Sequence, residues 1–433
     1  MKKIVLAAAA AVLVWSCDNT LVKDPVVTDP IDVTFPTPTE QITKVELSET
    51  EKGYVEAGNG MAFRFLKQMY SGENVILSPL SLQFALAMAA NGAEGETLQE
   101  IIDFLGYGAD GIEALNAYSK KLLEQLPAVD LDVTLKLTDA LLVNKDFPLL
   151  PEFRQAVQQN YYAAVDNMDF SDPAAVAARI NEWAARNTEG FIDKVLEPED
   201  ISEEVVAAIM NALYFKAKWA GSEYDPMFWE EATMEEAFTL ADGSQKQVPF
   251  MHNMKYHRYA QMDGYTVLAL PYAGSKYYMF FLLPDDNNLD ALVQKLPDIS
   301  WKTILGSFKR DAEVYVKLPK FDIENKFNLN KALKALGMQK PFVPGAAEFD
   351  RMFEPKPGYY YWIDSVIQKA RISVAEWGTE AAAVTVVLMA GENAAGPGEE
   401  PKRVYFYADH PFLFVIGEAT SGTILFEGVY TGK

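Results

Sequence analysis

Apolar positions follow two different periods along this chain. Between Val55 and Tyr70, Met61, Phe65, Leu66 and Met69 recur at helical spacing and predict one buried helix face. In "NVILSPLSLQFALAMAANGAEGETLQEI", residues 74–101, Ser78 can cap a helix whose first position is Pro79, running through Ala90 to a stop at Gly92 and Gly95. Thr97 and Glu100 have capping-box spacing and predict a further helix start, leading into Ile101, Ile102 and Leu105. Beyond residue 200 the aromatic and β-branched runs "NALYFKAKW" (211–219), "TVLALPY" (266–272), "YYMFFLLP" (277–284) and "EVYVKLPKF" (313–321) predict strands, as does "KARISVAEWG". "HPFLFVIGEATSGTILFEGVY" predicts a hairpin around Thr420, Ser421 and Gly422. Helices early and strands late argue for an α+β fold, and there is no internal repeat.

One stretch resists this scheme. In "EWGTEAAAVTVVLMA", residues 376–390, the alanines favour a helix and Val384, Thr385, Val386 and Val387 favour a strand. Extended, it would put Thr379, Ala381, Ala383, Thr385 and Val387 on one face and Glu380, Ala382, Val384, Val386 and Leu388 on the other. Its small leading residues could slide between existing strands without collision, its valines would pack once inside, and Gly378 would permit the backbone to reorient.

At the N-terminus, Lys2 and Lys3 precede an apolar run from Ile4 to Trp15 that is short for a membrane span, followed by Ser16 and Cys17. This resembles a bacterial lipoprotein signal, with residues 1–16 removed and Cys17 lipidated, although Trp15 departs from the usual small residue. Cys17 is the only cysteine, so no intramolecular disulfide is available. From Asp18 to about Leu47, prolines at 25, 30, 36 and 38 among Thr, Val and Asp predict an extended tether, giving a 17–47 linker and a 48–433 domain. The protein is then expected on the outer membrane or cell surface, held by lipid alone.

With 433 residues, 49% of them hydrophobic, the chain can bury a large core. Its formal charge of -23 disfavours nucleic acid and anionic membrane surfaces. There is no nucleophile elbow, phosphate loop, dinucleotide fingerprint or zinc-protease motif. Three histidines occur. His252 and His257 are spaced by five, which does not favour a shared helical face for a metal, and an ordinary surface role is preferred. His410 reads as a hydrogen-bonding residue at a strand entrance, and no carboxylate pair is singled out by its setting. No catalytic residue, metal or cofactor is assigned.

The segments "NVILSPLSLQFALAMAANGAEGETLQEI", "INEWAARNTEGFIDKVL", "NALYFKAKW", "FTLADGSQKQVPFM", "LPKFDIE", "EWGTEAAAVT" and "ADHPFLFVI" resemble the serpin family, in the family's order, across residues 48–433. The resemblance implies helices around a large central mixed sheet, smaller sheets, and an exposed reactive loop at about 376–403. It implies a monomeric suicide inhibitor that a target protease acylates before the loop inserts into the central sheet. On that basis the hinge is Gly378, Thr379, Glu380, Ala381, Ala382, Ala383, Val384 and Thr385. Trp219, Lys320 and Glu376 match the breach where the loop enters, implying a Lys320 to Glu376 ion pair. Ser78, Pro79, Ser81 and Asn211 match the shutter beneath the parting strands, where Gln368 replaces the histidine of many serpins.

The family's usual spacing from Glu376 places the cut bond between Glu392 and Asn393, suiting a glutamyl-specific protease. The segment 391–403 is longer than usual, and Val387, Met389, Ala390 and Ala394 would suit an elastase-like pocket. Cysteine proteases are further candidates as targets. The competing reading is a non-inhibitory serpin-fold binding or structural protein of the cell envelope; such proteins carry bulky, charged or proline residues in the hinge, which 379–385 lacks apart from Glu380.

Overall fold

The computed structural model describes residues 5–16, 38–201, 204–222, 224–377 and 402–433, and within 5–16 the side chain of Leu13 alone. After strand β1 (Val5–Ser16), helix α1 (Glu49–Met69) starts at a true capping box. Ser48 Oγ accepts from the Glu51 amide and the Glu51 carboxylate accepts from the Ser48 amide. Strand β2 (Val75–Leu77) leads into α2 (Pro79–Ala90), capped by Ser78 Oγ accepting from the Ser81 amide at 3.2 Å. Every residue of α2 is buried, so this helix is part of the core.

Helices α3 (Gly95–Leu105) and α4 (Gly111–Gln125) follow, then β3 (Thr134–Asn144), α5 (Pro151–Tyr161), β4 (Ala164–Met168), α6 (Pro173–Asn187) and β5 (Val205–Ala217). From there strands dominate: β6 (Met234–Thr239), β7 (Gln245–Lys255), β8 (Arg258–Met262), β9 (Tyr265–Pro271) and β10 (Tyr277–Pro284). Short helices α7 (Leu289–Lys295) and α8 (Trp301–Gly306) precede β11 (Glu313–Pro319), β12 (Phe321–Asn328), α9 (Asn330–Ala335) and β13 (Trp362–Val374). The chain closes with β14 (Arg403–Tyr407) and the hairpin of β15 (Phe412–Glu418) and β16 (Ile424–Tyr430).

The central sheet has the order β12-β13-β1-β5-β3-β4 and is mixed, because β3 and β4 run parallel while the other neighbours are antiparallel. A second sheet runs β2-β16-β15-β10-β9-β8 and a third β14-β11-β7-β6. The α2 helix lies between the first two, against β5, β1 and β16. The expected α+β architecture is therefore present, with its main core between the central sheet and the second sheet and a smaller one under α6.

In the complete chain the apolar run Val5–Ser16 pairs as a strand of the central sheet. Three expectations are corrected. The tether does not extend to Leu47. Residues 38–47 include an arm on the domain, with the Ile42 amide donating to Ala128 O, the Val45 amide to Thr420 Oγ1, and Val45 buried. Thr97 and Glu100 do not form a capping box. Thr97 exchanges hydrogen bonds with Glu348, and Glu100 accepts from the amides of Gln339 and Lys340, so both residues pin a distant segment. The run 313–321 is two strands, β11 and β12, with Lys320 at the break.

Candidate functional site: the gap between two central strands

Lys320 is positioned by the break between β11 and β12, where its amide donates to Pro249 O at 2.9 Å. From there Nζ reaches both carboxylate oxygens of Glu376, at 2.9 and 2.8 Å, just past the end of β13. Thr233 Oγ1 donates to the same carboxylate at 2.7 Å. Glu376 is only 4% exposed, so this carboxylate is held by a cation and a hydroxyl with almost no water. Trp219 donates from Nε1 to Ala375 O at 2.9 Å and stacks on Tyr272, ring centroids 4.7 Å apart and planes within 1°. The three predicted breach residues thus converge on Ala375 and Glu376. Thr233 was missed, because nothing in sequence spacing marks it.

Midway along the sheet lies a polar cluster in an apolar interior. Gln368 on β13 grips the backbone of Ser78: the Ser78 amide donates to Oε1 at 3.1 Å, and Nε2 donates to Ser78 O at 2.9 Å. Ser78 Oγ donates to Leu425 O, and Pro79 occupies the first position of α2. On β5, Asn211 Nδ2 donates to Asp139 Oδ1 of β3 at 2.8 Å. Asp139 is buried, and desolvation pushes its carboxyl up to about 7, opposed by the Asn211 hydrogen bond. Ser81 Oγ, Asn211 Oδ1 and Asp139 Oδ2 have no hydrogen-bond partner among the described residues. Asp139 was not singled out from sequence, although a lone carboxylate inside "LTDALLV" was a usable signal.

Between these two strands sits β1. It is antiparallel to both, so β5 and β13 run parallel to each other across it. Ala11 lies opposite Gln368 on one side and Asn211 on the other. Gly378 to Thr385, the cleavage positions Val387, Met389, Ala390, Glu392, Asn393 and Ala394, and Cys17 lie outside the described residues.

The histidines are tied up elsewhere. His252 Nε2 lies 2.6 Å from Glu236 Oε1, and His410 contacts Asp409 and Pro284 O. His257 is not a surface residue: it is buried, contacts Asn253 Oδ1 at 2.7 Å, and burial, with Lys255 and Arg310 nearby, lowers its pKa to about 4. Among the described residues no group of three or more His, Cys, Asp or Glu could hold a metal ion.

The fold and this strand gap define a class, and comparison with known proteins agrees. The family model for serpins (serine protease inhibitors) matches residues 56–432. The chain is 32% identical over 381 residues to Serpin-ZX of Arabidopsis thaliana, covering 85% of this chain and 94% of that protein. It is 34% identical to an uncharacterized serpin-like protein of Thermococcus kodakarensis, covering 87% and 85%. Among solved structures, the thermophilic serpin tengpin in its native state superposes with a TM-score of 0.76 at 28% identity, over 92% of this chain and 97% of that one. An Arabidopsis serpin in its native stressed conformation gives 0.73 at 30%, over 89% and 98%. This chain is a member of the serpin family, whose members are mainly protease inhibitors rather than catalysts, with some non-inhibitory.

Proposed function

We propose that this serpin is an irreversible suicide-substrate inhibitor of serine-type endopeptidases of elastase-like or glutamyl specificity, with cysteine proteases as further targets. The protease nucleophile adds to the carbonyl carbon of Glu392, the amide to Asn393 breaks, the Asn393 amine leaves carrying the proton, and an acyl-enzyme remains. Val387, Met389, Ala390 and Ala394 are the alternative sites for an elastase-like pocket. Insertion of the loop into the central sheet then traps the acyl-enzyme before water cleaves it.

The observation that carries this reading is the continuity from anchor to hinge. Glu376 is fixed by Lys320 and Thr233 at the top of β13, and residues 378–385 that follow are small, with Glu380 the one charge. Small residues enter a gap between paired strands with little steric cost, and Val384, Val386 and Val387 favour the strand once formed. Mixing the protein lacking residues 1–17 with elastase, chymotrypsin, trypsin, a glutamyl endopeptidase and a cysteine protease tests it. A band of summed mass on a denaturing gel, with a released C-terminal peptide beginning at Asn393, is expected. Cleavage throughout the panel without any covalent complex would overturn the reading.

We further propose that Cys17 is lipidated after removal of residues 1–16 and places the inhibitor on a bacterial envelope, facing proteases outside the cell. Cys17→Ser is expected to shift the protein from the membrane to the soluble fraction. Wild-type protein found facing the periplasm alone would count against the outward orientation.

A further inference from the structure

Glu427 sits in the middle of β16, 0% exposed, and neither of its carboxyl oxygens has a hydrogen-bond partner among the described residues. Strand pairing sets it opposite Val415 of β15 on one side and Leu77 of β2 on the other. Residues opposite each other share a face of the sheet, and Val415 is in turn opposite Phe280 of β10. The Phe280 ring meets Trp301 of α8 edge-on at 4.8 Å, and Trp301 meets Phe63 of α1 at 6.0 Å. Glu427 therefore belongs to the apolar layer between the second sheet and helices α1 and α8.

No charge in that layer compensates it. Strand β2 and helix α2 contain no ionisable residue. On β15, Glu418 accepts from the amides of Thr420 and Ser421, and on β16 itself Tyr430 packs against Phe321 and Phe412. The ionisable groups of α1 and α8 are engaged elsewhere: Glu49 with Lys52, Glu51 with Lys121, Glu56 with Lys302, Tyr54 with Asp110, and Lys67 with Gln294 O, while Arg64 is exposed. Burial alone acts on the Glu427 carboxyl and pushes it well above the usual range, so the group is held as the neutral acid.

A carboxylate at this position requires water. On one side lies β15, a seven-residue inner strand; on the other lies β2, a three-residue strand at the sheet edge, which is the easier side to open. Strand β2 runs directly into Ser78, whose Oγ accepts from the Ser81 amide at the start of α2 and donates to Leu425 O of β16 at 2.8 Å. We propose that Glu427 is a proton-held latch: protonated, it leaves β2 paired with β16 and Ser78 with Leu425, and deprotonated, it opens this edge to water and releases the start of α2.

Opening returns the carboxyl to its ordinary value near 4.5, so between that value and the higher one of the closed state each opening event releases a proton. The opening equilibrium then rises about tenfold per pH unit. Backbone hydrogen exchange of the complete 433-residue chain from pH 6 to pH 9, expressed as protection factors so that the intrinsic pH dependence of exchange is divided out, tests this at Val75–Leu77, with α6 as reference. Expected are a fall in protection at β2 approaching tenfold per pH unit, a flat profile in α6, and a flat profile at β2 in both Glu427→Gln and Glu427→Leu. The leucine variant matches the apolar layer and guards against a loss of fold caused by a buried amide. Asp139→Asn should leave the β2 slope in place, which separates Glu427 from the other buried carboxyl. No slope at β2 in the unaltered chain, a slope that survives in both Glu427 variants, or an equal slope in α6 would overturn the proposal.

Discussion

Lys320→Met isolates the contact that anchors the end of β13. It keeps most of the aliphatic stem and removes the ammonium that binds both oxygens of Glu376 at 2.8 and 2.9 Å. A carboxylate that is 4% exposed is then left with the Thr233 hydroxyl, 2.7 Å away. Removing one partner of a fully buried ion pair costs roughly 3–5 kcal/mol. The Lys320 side chain is 31% exposed, so water screens part of that interaction and about 2 kcal/mol is expected. Glu376→Gln should cost less, about 1 kcal/mol, because the freed ammonium can reach solvent while the amide still accepts from Thr233. The double variant should cost less than the two singles together by at least ~1 kcal/mol, since the second change removes the group that the first left unpaired. Urea unfolding midpoints at constant m-value measure all three. Additivity within ~0.4 kcal/mol would refute the reasoning, because it would mean that the two groups do not interact energetically.

Three further outcomes are expected. Asp139 has a folded pKa of about 7 against an ordinary value of 3.8, so between those values the folded state holds a proton that the unfolded state has released. Its contribution to stability is intact below pH 3.8, is lost as pH rises to about 7, and stays lost above; Asp139→Asn should flatten this decline in urea titrations, and an unchanged profile would remove Asp139 as its source. Gln368→Ala strips the Ser78 amide of its acceptor in a buried site and should cost about 1–3 kcal/mol, read from the same unfolding curves; a loss below ~0.5 kcal/mol would mean that water replaces the amide. Thr379→Arg should leave loop cleavage intact and abolish the covalent complex, and undiminished complex formation on a gel would contradict insertion as the inhibitory step.

Local chemistry settled much of this protein without the fold. Ser78 before Pro79 marks a helix start wherever the chain puts it, because cap and ring both act within one turn. The apolar runs of β9, β10, β15 and β16 were likewise legible, since short continuous runs of aromatic and branched residues bounded by turn residues favour buried strands. The order of seven segments carried the family, and with it the Lys320 and Glu376 positions.

Tertiary structure decided what depends on distant partners. Thr97 and Glu100 have capping-box spacing, but Glu348 and the amides of Gln339 and Lys340 compete for them and win. Thr233 joins Glu376 from 143 residues away, and Asp139 joins Asn211 across neighbouring strands, so no local window contains either pair. Residues 5–16 illustrate the division best. Their sequence specifies a short apolar segment of small side chains, a property shared by export signals and sheet interiors. Their pairing in the complete chain comes from the tertiary structure alone, because an isolated strand has no partner for its backbone, and β5 and β13 supply both edges with a register that sets Leu13 between Val366 and Ile209.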